Sequence, residues 1–284
     1  MSSKQNILCV GYCCLDIVSQ VSKFPLEDTD QRFLLEDFAK FDVNTDYAVI
    51  HEGCDCPASC IILSAATGSR TIVHANKNLP EVSVEDFDKI DLSPFKWVHF
   101  EGRNVPNVTK MIDRIRQHNK NLRDGIPVTI SVEIEKAKPE LESLISLPDV
   151  LFVSKDYAMY KGYRSMQETL EKVQAQAFPK AVVICPWGEE GASASSSDGN
   201  LVHSPAFPPV QVIDTLGAGD TFNAATIFSL SSGRSLKDSI TFGCRIAGLK
   251  VGVAGWEALR KFAMDGAFSL LENSVEKSNV ISVA

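Results

Sequence analysis

The sequence predicts an α/β fold built on a mainly parallel sheet with helices on both faces. Between residues 95 and 185, apolar runs of strand length alternate with longer segments of helical period, and such alternation is typical of right-handed βαβ units. The chain also opens with a continuous apolar run at 7–12 that suits a strand buried on both faces. Its 284 residues are enough for one large domain with a substantial core.

The first third of the chain predicts strands interrupted by turns. After the strand at 7–12, alternation through Ile17 indicates a more exposed strand, and a short helix is expected over 33–42. Between 46 and 75, three β-branched stretches are separated by turn-forming residues, which favours a small β meander.

The rest of the chain predicts alternating elements up to a polar tail. The expected strands lie at 127–134, 149–153, 181–185 and 210–213. The expected helices lie at 106–119, from about 138, at 165–177, 217–230 and 236–251. The serine run at 193–197 is interpreted as a turn between short strands, and about 25 final residues as a tail without a clear packing face.

Composition excludes several classes of protein. The formal net charge is -8 without a large basic cluster, which argues against a nucleic-acid or anionic-membrane surface. No apolar run reaches the roughly 18 residues of a membrane span, so we expect a cytoplasmic protein. The eight cysteines lie partly in apolar runs and are interpreted as reduced thiols. A metal cluster at Cys54, Cys56 and Cys60 would lack a second half.

The strongest chemical signal is the segment 213–223, Ile-Asp-Thr-Leu-Gly-Ala-Gly-Asp-Thr-Phe-Asn. Small residues at Gly217, Ala218 and Gly219 let the backbone approach a ligand, and the apolar helix that follows directs its free N–H groups to the same point. A phosphoryl group fits there. Asp220 either caps this helix or accepts the proton of an attacking hydroxyl.

This segment resembles the C-terminal signature of the ribokinase-like (PfkB) carbohydrate kinases. Other strings share the resemblance from about residue 5 to 259: Leu15-Asp16, Gly68-Ser-Arg70, Glu101-Gly-Arg103-Asn104, Phe152-Val-Ser-Lys-Asp156, Trp187-Gly-Glu-Glu-Gly191, Ala206-Phe-Pro-Pro209 and Phe242-Gly-Cys244. The resemblance implies one ribokinase-like kinase domain over 1–259, with a small β lid from strands within about 15–75, followed by a tail at 260–284.

The resemblance also implies roles for individual residues. Asp220 would be the general base, and the N–H groups of Gly217, Ala218 and Gly219 would neutralise charge on the γ-phosphoryl group. The nucleotide would lie along Gly188, Glu189, Glu190 and Gly191. Arg70 would approach the phosphates from the lid and Asp16 would hold sugar hydroxyls, although by themselves these two side chains fit a surface arginine and a strand-edge carboxylate. ATP, Mg²⁺ and K⁺ are the implied cofactors.

Two departures from the family pattern stand out. Where relatives carry an Asn-x-x-Glu box, this chain has Ser154-Lys155-Asp156-Tyr157, so Asp156 receives no role. The early Gly-Gly-Asn segment that grips the sugar is absent after Arg32, a gap of roughly forty residues. The missing block would carry part of the lid and a piece of the main sheet, so we expect unpaired strand neighbours and a weakened sugar site.

The leading functional hypothesis is an ATP-dependent kinase that converts a ketose, fructose above all, to its 1-phosphate. One alternative is a catalytically impaired nucleotide-binding variant that cannot hold sugar. Another is a related kinase acting on a different alcohol, such as a nucleoside. The expected partners are small-molecule sugar and ATP, with no nucleic acid or membrane, and the resemblance implies a homodimer formed through the lid strands.

Overall fold

A computed structural model describes residues 6–18, 30–54, 57–63, 70–75, 78–264 and 280–283. The strands are β1 (Asn6–Val10), β2 (Leu15–Val18), β3 (Ala58–Leu63), β4 (Arg70–Ala75), β5 (Phe95–Glu101), β6 (Thr129–Ile134), β7 (Val150–Val153), β8 (Val182–Pro186), β9 (Ala192–Ser196), β10 (Leu201–Ser204) and β11 (Val280–Val283). The α-helices are α1 (Asp30–Lys40), α2 (Val84–Phe87), α3 (Val105–Asn121), α4 (Lys155–Tyr160), α5 (Met166–Gln174), α6 (Ala218–Ser231), α7 (Leu236–Val251) and α8 (Glu257–Met264).

The main sheet has the order β10-β9-β8-β7-β6-β5-β1-β11. In this order, the strands β8, β7, β6, β5, β1 and β11 pair with their neighbours in parallel. The β8–β9 and β9–β10 pairings at the other edge are antiparallel. The predicted α/β class with a mainly parallel sheet is confirmed. In such a sheet the carboxyl ends of neighbouring strands meet at one edge, which is where ligands bind.

Two hydrophobic clusters cover the two faces of this sheet. On one face, Phe100 and Ile130 pack with Met111 and Ile115 of α3. On the other, residues of β1, β5 and β7 pack with α6 and α7: Ile7, Trp97, Phe152, Phe222, Ile227 and Ile240. The strands between these layers are buried on both sides, which explains their continuous apolar runs.

A second sheet has the order β2-β3-β4. β2 runs parallel to β3, and β3 runs antiparallel to β4. All three strands fall inside the range expected for a lid. Because β2 follows β1 after only a short connection, this small sheet is attached at the carboxyl end of β1.

The C-terminal segment contributes a strand to the main sheet. β11 lies parallel to β1, with Ile7 opposite Val280 and Val10 opposite Val283. The other side of β1 pairs with β5. β1 is therefore paired on both sides, and β11 forms the outer strand of the main sheet.

Several local predictions differ from the structure. Residues 47–50 form a turn and loop rather than a strand, and Tyr47 packs edge-on against Phe95 with ring centroids 6.0 Å apart. Residues 210–213 form no strand, since the Ile213 N–H donates instead to Val251 O at 2.8 Å and the apolar side chains are exposed. The serine run is strand β9, and the segment Pro139–Leu144 is a 3₁₀ helix.

Among the described residues, the cysteines at 9, 13, 14, 54, 185 and 244 carry reduced thiols. Cys56 lies outside the described residues, so the metal cluster considered for Cys54, Cys56 and Cys60 has no structural description. Among the helices that the structure describes, none combines the length and apolar character needed to cross a bilayer.

Candidate active site

The candidate site lies where the carboxyl ends of β1, β5 and β6 meet the N-terminus of α6. Tyr12 follows β1, Glu101 ends β5, and Glu133 is the penultimate residue of β6. The Tyr12 N–H donates to Glu101 Oε2 at 3.1 Å, and Glu101 stands beside Glu133 in the strand register. Asn223 of α6 donates from Nδ2 to Glu133 Oε1 at 2.7 Å. These contacts join strands distant in sequence to the signature helix.

Helix α6 begins at a glycine that no other residue could replace without strain. Gly217 has a φ of 68°, in the left-handed region. A Cβ at this position would also lie 2.6 Å from the Trp256 ring. The residue that precedes the helix therefore brings bare backbone to the site and adds no side-chain cap.

The first turn of α6 can stabilise negative charge. The first N–H groups of a helix have no intrahelical carbonyl to bind, and the helix dipole adds positive character there. The Ala218 N–H makes a long hydrogen bond of 3.3 Å to Thr215 O, whereas the Thr221 N–H is fully used by Gly217 O at 2.9 Å. Asp220 is exposed at this same turn. Positive backbone character and a solvent-accessible carboxylate thus lie within one helical turn.

A buried ion pair holds the loop that leads into α6. Lys250, 1% exposed, places its Nζ 2.7 Å from Asp214 Oδ2. Asp214 Oδ1 accepts the N–H of Leu216 at 2.9 Å. Burial raises the pKa of Asp214, but the hydrogen bonds from Lys250 and the backbone outweigh it and the pKa lies below its ordinary value. Asp214 is therefore an anchor for the loop, fixed from the end of α7.

A cavity of about 380 Å³ opens beside this helix start. Of the residues predicted to contact nucleotide, Gly188, Glu189, Gly191, Ala218 and Gly219 line it, while Arg70, Glu190 and Gly217 are not among its lining residues. The predicted base Asp220 is not among them either. Its remaining walls are mostly apolar and come largely from the 206–212 segment and α7: Pro186, Ala206, Phe207, Pro208, Pro209, Val212, Thr215, Phe222, Cys244, Ala247, Gly248 and Val251. An apolar slot that ends at a helix N-terminus suits a flat base joined to phosphates.

Gly191 shapes one wall of this cavity. Its φ is 86°, and a Cβ would lie 2.1 Å from Ser204 O and 2.6 Å from the Pro205 carbonyl carbon. Backbone therefore packs directly on backbone where β9 and the segment after β10 come together. The adjoining turn Gly188–Glu190 is a single 3₁₀ turn closed by the hydrogen bond from the Gly191 N–H to Gly188 O at 3.0 Å.

A charged network borders the site at β5. The Arg103 guanidinium lies 3.6 Å from the Tyr12 ring centroid, and it pairs with Glu81 at 2.9 Å and with Glu101 at 3.1 Å. Lys136 Nζ adds a contact of 3.2 Å to Glu101. Burial raises the pKa of Glu101, but Arg103 and Lys136 outweigh it and hold the pKa below the ordinary value.

Glu133 has the opposite electrostatic environment. Burial raises its pKa, the negative charges of Asp220 and Glu135 act in the same direction, and the net result is a pKa of about 8. The hydrogen bond from Asn223 opposes this rise without cancelling it. Glu133 is thus protonated at neutral pH next to the exposed Asp220.

The structure fixes the two predicted lid-side residues only by their backbone. Asp16 lies in β2 opposite Ser59 of β3, and Arg70 is the first residue of β4, opposite Leu63. Both strands belong to the small sheet. Asp156 lies in the first turn of α4, where Ser154 provides the side-chain cap.

Sequence reasoning missed Glu133, Asn223 and Lys250 as parts of this region. One signal was available: Glu133 is a carboxylate near the carboxyl end of a predicted central parallel strand, where site residues concentrate. Asn223 closes the signature segment itself. Lys250 carried no signal, because a lysine near the end of a helix is usually solvated.

The His, Cys, Asp and Glu side chains of the described residues bear on how a metal ion could be held. Among the residues that the structure describes, no group of three or more His, Cys, Asp or Glu side chains could hold a metal ion. Mg²⁺ in nucleotide sites commonly relies on one or two carboxylates plus substrate phosphates, so such a site needs no protein cage.

Comparison with known proteins places this geometry in a family. Residues 26–259 match the pfkB family carbohydrate kinases. Ketohexokinase from Mus musculus is 41% identical over 298 residues, an alignment that covers 91% of this chain and 100% of the mouse protein.

Solved structures share the fold at low identity. A protein described as a ribokinase II from E. coli, in complex with ATP and Mg²⁺, aligns with a TM-score of 0.71 and 14% identity over 92% of this chain and 99% of its own. A fructokinase double mutant from Vibrio cholerae O395, with fructose, ADP and potassium ion bound, aligns with a TM-score of 0.68 and 16% identity over 92% of this chain and 99% of its own. The predicted ribokinase-like fold is confirmed. Family match, mouse relative and fold together show that this chain belongs to the pfkB family carbohydrate kinases and is an ATP-dependent carbohydrate kinase.

Proposed function

We propose that the chain transfers the γ-phosphoryl group of ATP to a ketose, with D-fructose as substrate, fructose 1-phosphate as product and Asp220 as general base. The observation that carries this proposal is the meeting of three features at one helix start: the apolar cavity, the glycine-rich N-terminus of α6 and the exposed Asp220 carboxylate. The 41% identity to mouse ketohexokinase supports the choice of a ketose.

The nucleotide would occupy the cavity between α7 and the Gly188–Glu190 turn. Phe207 and Pro208 offer apolar surface to a base, and Gly188, Glu189 and Gly191 also line the cavity. The phosphates would then extend toward Ala218 and Gly219, where N–H groups and helix dipole favour negative charge. Arg70 would approach the phosphates from the small sheet.

The chemistry assigned to this chain's residues is proton removal and charge stabilisation. The Asp220 carboxylate accepts the proton of the sugar hydroxyl as that oxygen forms a bond to the γ-phosphorus. The bond from the γ-phosphorus to the β,γ-bridging oxygen breaks, and its electron pair leaves with ADP. The N–H groups of Gly217, Ala218 and Gly219 stabilise charge on the phosphoryl oxygens during transfer. Asp16 would hold sugar hydroxyls.

ATP and Mg²⁺ follow from the family, and K⁺ remains a proposal. When bound with ATP, Mg²⁺ supplies neutralisation of the phosphate charge. We propose that it is held mainly through the triphosphate, which agrees with the donor set of the described residues. A homodimer through the β2-β3-β4 sheet and a cytoplasmic location likewise stay predictions, as does the division into a 1–259 domain and a 260–284 tail.

The sugar side of the site is proposed to be incomplete. The mouse relative aligns over 298 residues and over its whole length, whereas 91% of this 284-residue chain is about 258 residues. The difference of about forty aligned positions supports a gap of the size expected after Arg32. The absent Gly-Gly-Asn segment would remove asparagine contacts to the sugar, which favours the alternative of a nucleotide-binding variant with impaired catalysis.

One paired experiment separates these functions. Binding of ATP–Mg²⁺ is measured by calorimetry on the purified chain, and ADP release is followed with fructose, with ribose, with a nucleoside and without acceptor. Fructose-dependent ADP release with equal formation of sugar phosphate supports the proposed kinase. Nucleotide binding without acceptor-dependent release supports the impaired variant, and release only with another acceptor would overturn the choice of ketose.

A further inference from the structure

Glu133 lies at a junction of three secondary-structure elements. In β6 it stands between Glu101 of β5 and Phe152 of β7. Its carboxyl group accepts the hydrogen bond from Asn223 Nδ2 of α6 at 2.7 Å. A side chain near the end of a central strand is thereby tied to the signature helix, 90 residues further along the chain.

Asn223, the donor of this hydrogen bond, is held in a buried position on α6. It is 4% exposed and lies three residues after Asp220, so the two side chains emerge from the same face of α6 within one turn. Its Oδ1 is buried and has no hydrogen-bond partner among the described residues, which leaves the bond to Glu133 as the polar contact that orients the amide. Movement of Glu133 would therefore be transmitted to the first turn of α6.

The charges that act most strongly on Glu133 are negative. Asp220 approaches from α6, Glu135 from the residue that follows β6 and Glu101 from β5, while β7 contributes the neutral Phe152. Glu101 is neutralised in part by Arg103 and Lys136. Like charges held this close do not all ionise together, so one carboxyl in the group retains a proton.

We propose that Glu133 is a positioning residue for Asp220: Asn223 holds the Glu133 carboxyl against the first turn of α6, and Glu133 keeps the single proton of the pair so that Asp220 carries the negative charge. This inference rests on the proposed role of Asp220 as general base. The pair keeps Asp220 ionised and ready to accept a proton near pH 7. It also avoids a second negative charge beside the phosphoryl group in transfer.

The consequence is a site that weakens at alkaline pH. As the pH rises through about 8, Glu133 ionises and two negative carboxylates then lie at the N-terminus of α6. The additional charge repels the triphosphate and opposes phosphoryl transfer. The apparent titration belongs to the Asp220–Glu133 pair as a whole, because the two groups are coupled.

A titration tests the coupling independently of catalysis. Protein labelled with ¹³C at Glu and Asp carboxyl carbons is titrated by NMR, and the Glu133 signal is assigned by its loss in Glu133→Gln. We expect a Glu133 midpoint near pH 8 in the wild type. It should fall by about one pH unit or more in Asp220→Asn, because the neighbouring negative charge is removed. It should rise in Asn223→Ala, because the Asn223 hydrogen bond favours the charged form of Glu133. Asn223→Ser serves if the alanine variant does not fold. Glu171→Gln, an exposed acid on α5, is the matched control with an unchanged midpoint.

A pH–rate profile tests the function of the pair. The wild-type kcat/KM for ATP should fall above about pH 8, and Glu133→Gln should lack this alkaline limb whatever its turnover at pH 7. A Glu133 midpoint below about 5.5, or one that Asp220→Asn leaves in place, overturns the proposal, as does an unchanged alkaline limb in Glu133→Gln. The wild-type chain could show the coupled titration and yet no acceptor-dependent turnover. That result would count against the proposed kinase function alone, and the Asp220–Glu133 pairing would stand.

Discussion

Lys250 Nζ lies 2.7 Å from Asp214 Oδ2, in a pair whose lysine is almost fully buried and whose aspartate opens the signature segment. The same ammonium group lies 5.2 Å from the centroid of the Trp256 ring, the ring that packs against Gly217. The end of α7 thus fixes both the entrance to α6 and the residue that covers it.

Breaking this pair should destabilise the protein more than breaking an exposed one. Asp214→Asn leaves a buried ammonium without its counter-charge, and we expect a loss of about 2–4 kcal/mol, near the lower end for buried pairs because Asp214 is partly exposed. Chemical denaturation measures the loss. Lys161→Met, which removes the more exposed pair with Glu142, is the control, and its loss should be clearly smaller because exposed ion pairs contribute little to stability. Equal losses would show that burial of Lys250 does not matter.

Glu133 should make stability fall with rising pH. Its folded pKa of about 8 lies above the ordinary value of 4.5, so between these values the folded state holds a proton that the unfolded state has released. Unfolding free energy therefore declines as the pH rises through this window. Glu133→Gln should show a smaller decline in melting temperature from pH 5 to pH 8, by a few °C, while Glu171→Gln should follow the wild type. Parallel curves for all three proteins would contradict the assigned environment.

β11 should contribute measurably to the main sheet. Ile281 lies opposite Leu8 in the parallel ladder, and a proline there removes a donor and distorts the strand. We expect Ile281→Pro to lower stability by about 1–2 kcal/mol, comparable to one or two lost backbone hydrogen bonds. Ile281→Val, which keeps the backbone donor, is the matched control. Hydrogen exchange at Leu8 and Val10 should accelerate in the proline variant alone, and unaltered exchange would mean that β11 does not protect β1.

The sequence predicted the regular part of this fold because its signals are local. The central strands are continuous apolar runs, and α3, α6 and α7 show helical periods close to their observed bounds. Residues 47–50 and 210–213 were wrongly predicted as strands, because β-branched composition favours burial or an extended backbone but does not show whether a partner strand exists. The pairing of β11 with β1 joins residues about 270 positions apart, which no local pattern specifies.

The candidate site likewise contains residues that local sequence predicted and residues that only the folded structure shows. Gly217 to Asp220 were found because the chemistry of a helix start resides in consecutive residues. Glu133 and Lys250 act through contacts to α6 and its leading loop that form only in the folded chain. Their roles depend on burial and neighbouring charge, which sequence spacing does not report.

Fructose affinity should be weaker than in a relative that retains the Gly-Gly-Asn segment. Buried polar groups left unpaired cost roughly 1–3 kcal/mol each, so loss of two asparagine contacts should lower affinity by about 10²-fold or more. Inserting a Gly-Gly-Asn-containing segment between Arg32 and Phe33 should recover fructose binding in calorimetry. A matched insertion with alanines in place of the asparagines controls for added length. Equal fructose affinity in the original and restored chains would show that the gap does not affect the sugar site.

The most direct test of the account is the kinetics of Asp220→Asn beside its nucleotide affinity. If Asp220 is the general base, fructose-dependent turnover should fall by about 10²-fold or more while the Kd for ATP–Mg²⁺ stays similar, because the base acts on the acceptor hydroxyl and not on nucleotide. Far-UV circular dichroism checks that the variant keeps the helical content of the wild type. Loss of ATP binding in proportion to turnover would contradict the account and identify Asp220 as a structural cap of α6.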